Sequence, residues 1–245
     1  MRKRVLLLFS ILFAAALSVV VYRASQNHPL PRPKVHQLGK PPQEYEWEGS
    51  SPPCTQAYVR PLVERYLQAL PTGSRLLDLG CGNGAMLGSF SGKGWQLVGV
   101  DISNSGIAQA RKGWPGIQFE VGDATGDLSA LGQFDAVIST EVIEHIFLPR
   151  YFAQNCFRLL KPGGILVLST PYHGWLKNIA IAVAHQTDKH FDPLYDYGHI
   201  KFWSVDTLSK LLWEAGFDDL EFTGAGRLPY LWKSLVMRAR KPVGH

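Results

Sequence analysis

From Thr55 onward the apolar positions Val59, Leu62, Val63, Tyr66, Leu67 and Leu70 recur at three- and four-residue spacing, the period of a helix with one buried face. Pro71-Thr72-Gly73 stops it, and the period changes. Leu76-Leu77-Asp78-Leu79 is a short, nearly continuous apolar run, the pattern of a strand covered on both faces. Similar runs follow at Trp95 to Asp101, Ile117 to Val121, Phe134 to Ser139 and Ile165 to Ser169. Helical stretches near 85–92, 104–112 and 149–160 separate them. Such alternation predicts an α/β fold, a doubly wound and mostly parallel sheet with helices on both faces. A helix over Asp206 to Ala215 and two last strands, Phe217 to Thr223 and Leu235 to Arg240, complete a domain spanning 54–245. Ligands of such sheets bind at the carboxyl ends of the strands.

Two stretches break the alternation. Thr170 to Trp203 (170–203) holds Pro171-Tyr172-His173, an apolar helical segment around Trp175 to Ala184, then His185, His190, Tyr195, Tyr197 and His199. An insertion there lies over the ligand crevice and is expected to choose the substrate; a flap that only excludes water is the plainer role. At the other end, Val5 to Tyr22 is an uncharged apolar run of 18 residues behind Arg2-Lys3-Arg4. It predicts a single-pass membrane anchor within 1–24, with a cleaved signal segment ending near Ala14-Ala15-Ala16 as the alternative. Ser25 to Pro53, rich in proline and polar residues, reads as a linker (25–53).

Charge sharpens this division. The net charge is +5, but residues 1–40 hold seven Lys or Arg and no acid, which leaves 18 basic against 20 acidic residues in the rest. The rest of the chain therefore lacks an electrostatic footprint for nucleic acid. Cys54, Cys81 and Cys156 are widely spaced, with no C-x-x-C pair, which argues against a disulfide framework or a cysteine-ligated zinc site.

Candidate chemistry sits where the first strand ends. Leu76-Leu77-Asp78-Leu79-Gly80-Cys81-Gly82-Asn83-Gly84, followed by Ala85, reads as a buried strand turning sharply into a helix through a glycine loop. Asp78 would repel a pyrophosphate and suits the ammonium of an amino-acid ligand. Asp101 falls 21 residues after Gly80, where a carboxylate can meet paired ribose hydroxyls. Asp123 and the neighbouring N–H of Ala124 can bracket an adenine edge. Singly, each acid is an ordinary strand-end turn residue.

In this order, with Thr140-Glu141-Val142-Ile143-Glu144-His145 and Leu159-Leu160-Lys161-Pro162-Gly163-Gly164 after them, these segments resemble the class I S-adenosylmethionine-dependent methyltransferases. The resemblance covers roughly residues 55 to 240. It implies a seven-stranded sheet of order 3-2-1-4-5-7-6 with strand 7 antiparallel. It also implies a cofactor site in which Asp78, Gly80, Gly82 and Gly84 hold the methionine part. Asp101 would hold the ribose and Asp123 the adenine, with Ile102, Ala124 and Glu141 as further contacts. The methyl donor is a cytosolic metabolite, so the catalytic domain is expected on the side of the membrane supplied with it.

Glu141, Glu144 and His145 stand at i, i+3 and i+4 and share one face if that turn is helical. With His199 as a fourth ligand they could hold Mg²⁺, Mn²⁺ or Zn²⁺, which would acidify a substrate hydroxyl. Alternatively His145 or His199 acts directly as general base with Glu144 beside it. Quinone-biosynthesis O-methyltransferases carry a similar Glu-x-x-Glu-His, which implies O-methylation of a small phenolic or lipid-like acceptor. Small-RNA 2′-O-methyltransferases carry a similar motif too, and His199-Ile200-Lys201-Phe202-Trp203 is loosely like their distal histidine segment. A non-catalytic cofactor-binding module is the third reading.

Overall fold

The computed structural model describes residues 53–244 together with Ala14, Ser18, Tyr45, Trp47 and Gly49. Seven strands are β1 (Arg75–Leu79), β2 (Gln96–Asp101), β3 (Gln118–Val121), β4 (Phe134–Thr140), β5 (Leu160–Pro171), β6 (Asp218–Ala225) and β7 (Ser234–Arg240). They form one sheet of order β3-β2-β1-β4-β5-β7-β6. β1 to β5 run parallel, and β7 pairs antiparallel with both β5 and β6. The sheet order and the antiparallel last strand are those the sequence resemblance implied.

Helices cover both faces: α1 (Gln56–Leu67), α2 (Ala85–Gly88), α3 (Asn104–Gly113), α4 (Pro149–Leu159), α5 (Trp175–Val183), α6 (Thr187–Phe191) and α7 (Val205–Glu214). Successive residues of a strand point to opposite faces, so β1 feeds two cores. Leu77 and Leu79 join Phe152, Cys156, Leu208 and Leu212 from α4 and α7. Leu76 instead meets Val59, Val63, Leu67 and Ile107 from α1 and α3. Each such leucine, wholly removed from water, contributes about 1.5–3 kcal/mol. Asp78 sits in the same strand, 1% exposed, and nothing about its burial favours a carboxylate. That anomaly marks the site.

Three element boundaries differ from the sequence reading. α2 ends at Gly88 rather than near 92, because Gly92 and Gly94 take φ of +88° and +76° and make a turn before β2. β5 begins at Leu160, with a register shift opposite Phe134–Ala136 that absorbs Pro162-Gly163-Gly164. The turn holding Ile143–His145 is a single 3₁₀ turn, and Glu141 before it has φ +56°. That backbone places Glu141 off the face it would share with Glu144 and His145 on an α-helix.

The expected membrane localisation is corrected. Among the described residues no helix is long and apolar enough to cross a membrane. The predicted span, Val5 to Tyr22, falls outside the described residues except for Ala14 and Ser18, which are helical, with the Ser18 hydroxyl donating to the Ala14 carbonyl at 2.8 Å. Most of the predicted 25–53 linker likewise lies outside them.

Candidate active site

The carboxyl ends of β1, β2, β3 and β4 open into a cleft of about 1310 Å³. Of the loop glycines Gly80 lines it, whereas Gly82 and Gly84 sit behind its surface, Gly84 against Phe119 and Ala110. Gly80 takes φ +87° and Gly82 φ +52°, and a Cβ on Gly80 would collide with Val142, one on Gly82 with the Trp47 indole. Both carboxylate oxygens of Asp78 are buried without a hydrogen-bond partner, although the residue lines the cleft. Burial, reinforced by the nearby Asp101, pushes its carboxyl from 3.8 up to about 8. A buried acid of this kind is costly to ionise unless a cationic donor meets it.

Asp101 is arranged differently. One oxygen accepts from Gly82 N–H and the other from Ser103 N–H, each at 2.8 Å. The carboxylate thus ties the glycine loop to the start of α3, whose cap is the Ser103 hydroxyl accepting from Gly106 N–H at 3.0 Å. Ile102 follows, 68% exposed on the cleft wall, an apolar surface against which a flat base can rest. At the end of β3, Asp123 Oδ1 accepts from Thr125 N–H (2.7 Å) and Oγ1–H (2.8 Å), closing a tight turn that presents Ala124 to the cleft. Among the described residues no hydrogen bond engages Asp123 Oδ2 or Ala124 N–H. Cys81 is buried in the loop, and burial raises its thiol well above the usual range, so it is inert.

The mouth of the cleft carries a second group. Glu144 Oε1 lies 4.0 Å from His145 Nε2 and 4.0 Å from His199 Nε2, and one ligand atom of each residue falls within 4.8 Å of the others. The insertion brings His199 there through backbone: the Glu144 carbonyl accepts from Ile200 N–H and Lys201 N–H, each at 2.9 Å. Trp203 Nε1–H reinforces this by donating to the Ile143 carbonyl at 3.4 Å. His145 Nδ1 is 3.2 Å from the Gly198 carbonyl. A carbonyl only accepts, so Nδ1 carries the proton and Nε2 of the neutral ring keeps a lone pair. Burial lowers the pKa of His145, and burial together with His145 lowers that of His199 to about 4. Both imidazoles are therefore neutral near pH 7, and the 4.0 Å separations are not ion pairs. Glu144 Oε2 accepts from Thr170 Oγ1–H at 3.0 Å, while Oε1 is buried without a partner. Burial, with Glu141 nearby, raises the Glu144 carboxyl well above the ordinary range.

Glu141 stands apart from this trio. Its oxygens accept from Ser169 Oγ–H on β5 at 2.7 Å and from Ser234 Oγ–H on β7 at 3.2 Å. Burial raises its pKa while those hydroxyls and the buried Lys177 lower it. The structure thus gathers Glu144, His145 and His199 at the mouth, sets Asp78, Asp101, Ile102, Asp123 and Ala124 along the cleft, and fixes Glu141 in the wall between.

Sequence reasoning missed Tyr45 and Trp47. The Ser103 hydroxyl donates to the Tyr45 carbonyl at 3.1 Å, Trp47 N–H donates to Ser105 Oγ at 3.3 Å, and Asn83 Nδ2–H donates to the Gly49 carbonyl at 3.0 Å. The Trp47 indole lies over Gly82 and Gly106, where only glycine leaves room, and both aromatic residues line the cleft. Tyr45 also interacts with Tyr195 of the insertion. The signal available was the pair of aromatics in an otherwise polar tract.

Comparison with known proteins identifies the family. The family model described as a methyltransferase domain matches residues 55–221. A ubiquinone biosynthesis O-methyltransferase of Cereibacter sphaeroides is 33% identical over 191 residues, covering 74% of this chain and 77% of that protein. One of the same name from a Bradyrhizobium strain is 36% identical over 146 residues, 58% of this chain and 57% of its own. The solved structure of a putative methyltransferase from Bacillus halodurans shares the fold, with TM-score 0.60 and 20% identity over 74% of this chain and 98% of that one. The family model spans more than half of the chain, and the Cereibacter sphaeroides relative covers about three quarters of it. The chain belongs to the class I S-adenosylmethionine-dependent methyltransferases.

Proposed function

We propose that this enzyme methylates an oxygen of a small phenolic, quinone-type acceptor. The observation that carries the reading is the neutral His145, its Nε2 lone pair fixed by the Gly198 carbonyl, at the mouth of the cofactor cleft beside Glu144 and His199. The bound cofactor supplies an electrophilic methyl group on a sulfonium. In this reading Asp78 ionises to receive the ammonium of its methionine half, and the bare backbone of Gly80 would lie against it, while Gly82 and Gly84, which do not line the cleft, shape the loop behind it. Asp101 meets the ribose hydroxyls, Asp123 and Ala124 N–H the adenine edge, and Ile102 a base face. Glu141, braced by Ser169 and Ser234, would be a further contact in the cleft wall.

An acceptor entering the mouth meets Phe147, Leu148, Tyr195, Tyr197 and Ile200, a surface suited to an aromatic ring. His145 Nε2, or His199 Nε2, takes the hydroxyl proton as the oxygen approaches the methyl group. The protein otherwise aligns the two reactants and excludes water. General-base assistance of this kind is worth about 10²- to 10⁴-fold. The relatives support oxygen as the accepting atom, since both are named O-methyltransferases.

A specific feature favours a metal-assisted form of the same reaction. Glu144 Oε1 is buried and unpartnered beside two imidazole nitrogens, a donor set of one oxygen and two nitrogens that suits Zn²⁺ or Mn²⁺ better than Mg²⁺. The test follows release of S-adenosylhomocysteine from a catechol probe, in chelator and with each cation added back. Release of one product per methylated catechol, lost in His145→Ala, supports the assignment, and dependence on the cation selects its metal-assisted form. A folded, cofactor-binding enzyme that ignores phenols or methylates nitrogen or carbon instead would overturn it.

A further inference from the structure

α4 carries a polar residue on its buried face. Phe152, Ala153, Cys156 and Leu159 enter the core, and Asn155, 3% exposed, goes in with them. Asparagine is a poor residue for a helix interior and costly to bury unless its amide is used. Here it is fully used. Nδ2 donates to the carbonyls of Ala124 (2.9 Å) and Gly126 (2.7 Å), and Oδ1 accepts from Arg158 Nη2.

The loop so held is the one after β3, the outermost parallel strand. β3 has four residues, and beyond it the backbone is tethered by Gly122 N–H to the Asp101 carbonyl (2.9 Å) and by the Asp123–Thr125 turn. An edge segment with so few ties needs support from behind if it is to present a fixed hydrogen-bonding edge. Asn155 grips two alternate carbonyls on either side of Thr125, which fixes the peptide planes of the turn. We propose that Asn155 is a positioning residue for adenine recognition, holding Asp123 and Ala124 N–H in register with the base. Because α4 begins four residues after His145, the same helix ties the adenine loop to the turn that carries Glu144 and His145.

This rests on the placement of adenine at Asp123 and Ala124, and binding alone tests it, without any acceptor. Calorimetry compares S-adenosylhomocysteine with S-inosylhomocysteine, whose base has a carbonyl in place of the amino group and N–H in place of the ring nitrogen. The wild-type enzyme should prefer the adenosyl form by at least about tenfold. In Asn155→Ala the adenosyl form should bind about 10- to 50-fold more weakly and the preference should shrink to within about threefold. A merely structural asparagine would lower the melting temperature and weaken both ligands alike, leaving the ratio intact; that result overturns the inference. A wild-type enzyme blind to the base would instead overturn the adenine placement beneath it. Should Asn155→Ala not fold, Arg158→Ala, at an exposed side chain, frees the amide oxygen and should reduce the preference about two- to fivefold; an unchanged ratio there counts against the inference equally.

Discussion

Replacing Asp78 by Asn should make the empty enzyme more stable and its cofactor complex weaker. The carboxyl stands at about 8 in the folded protein against 3.8 ordinarily, through burial first and Asp101 second. A carboxyl with a raised pKa leaves the fold at full stability only below its unfolded value. That stability is lost, at about 1.36 kcal/mol per pH unit, as pH climbs from 3.8 towards 8. At pH 7 the loss is about 4 kcal/mol, and at pH 5 only about 1.5 kcal/mol. Asn never ionises, but its buried amide without partners costs about 1–3 kcal/mol. The net gain is therefore about 1–3 kcal/mol at pH 7 and close to nothing at pH 5. At about 2–4 °C per kcal/mol for a domain of this size, melting of the empty variant should rise by about 2–12 °C at pH 7.

Cofactor binding should move the other way. Without the carboxylate the incoming ammonium is buried unpaired, which weakens binding by about 3–5 kcal/mol, a Kd increase of 10²-fold or more. The wild-type acid, about 90% protonated at pH 7, should also release close to one proton per cofactor bound, and the variant none from this position. Melting of cofactor-free samples at both pH values, and calorimetry in buffers of different ionisation enthalpy, read all three quantities. An Asp78→Asn protein less stable than wild type at pH 7, or one that binds the cofactor within threefold of wild type, would refute the reasoning.

Other outcomes follow from the same geometry. Asp101→Ala removes the acceptor of both Gly82 N–H and Ser103 N–H; it should weaken cofactor binding about 50-fold or more and cost about 1–3 kcal/mol of stability in chemical denaturation. His145→Ala should lower kcat by about 10²- to 10⁴-fold while cofactor Kd stays within about twofold. Since burial depresses His145, the acid limb of the wild-type pH–rate profile should lie below the ordinary imidazole value of 6.5; a limb above it would contradict the geometry. Trp47→Ala uncovers the glycine loop, so S-adenosylhomocysteine should dissociate about tenfold faster in stopped-flow displacement; an unchanged rate would remove Trp47 from the site.

What was legible in the sequence, and what was not, divides along a physical line. The strand–helix alternation and the acids at strand ends were readable because a parallel sheet aligns its carboxyl ends, so Asp78, Asp101 and Asp123 share one edge without further information. The grouping at the mouth was only half readable. Spacing placed Glu141 with Glu144 and His145, but spacing assumes a helix, and the left-handed backbone at Glu141 turns it to Ser169 and Ser234 instead. His199 was readable only through a loose likeness to a distal-histidine segment, because the contact that brings it there is the Glu144 carbonyl, an acceptor every residue owns. Trp47 disappeared into a tract judged by composition, which averages away the one indole that two glycines admit. Asn155 is the opposite case: a polar residue on the apolar stripe of α4, visible in the sequence as a breach of the helical period. Breaches of that kind carry the information that regular patterning cannot, because a buried amide is tolerated only where backbone from elsewhere needs it.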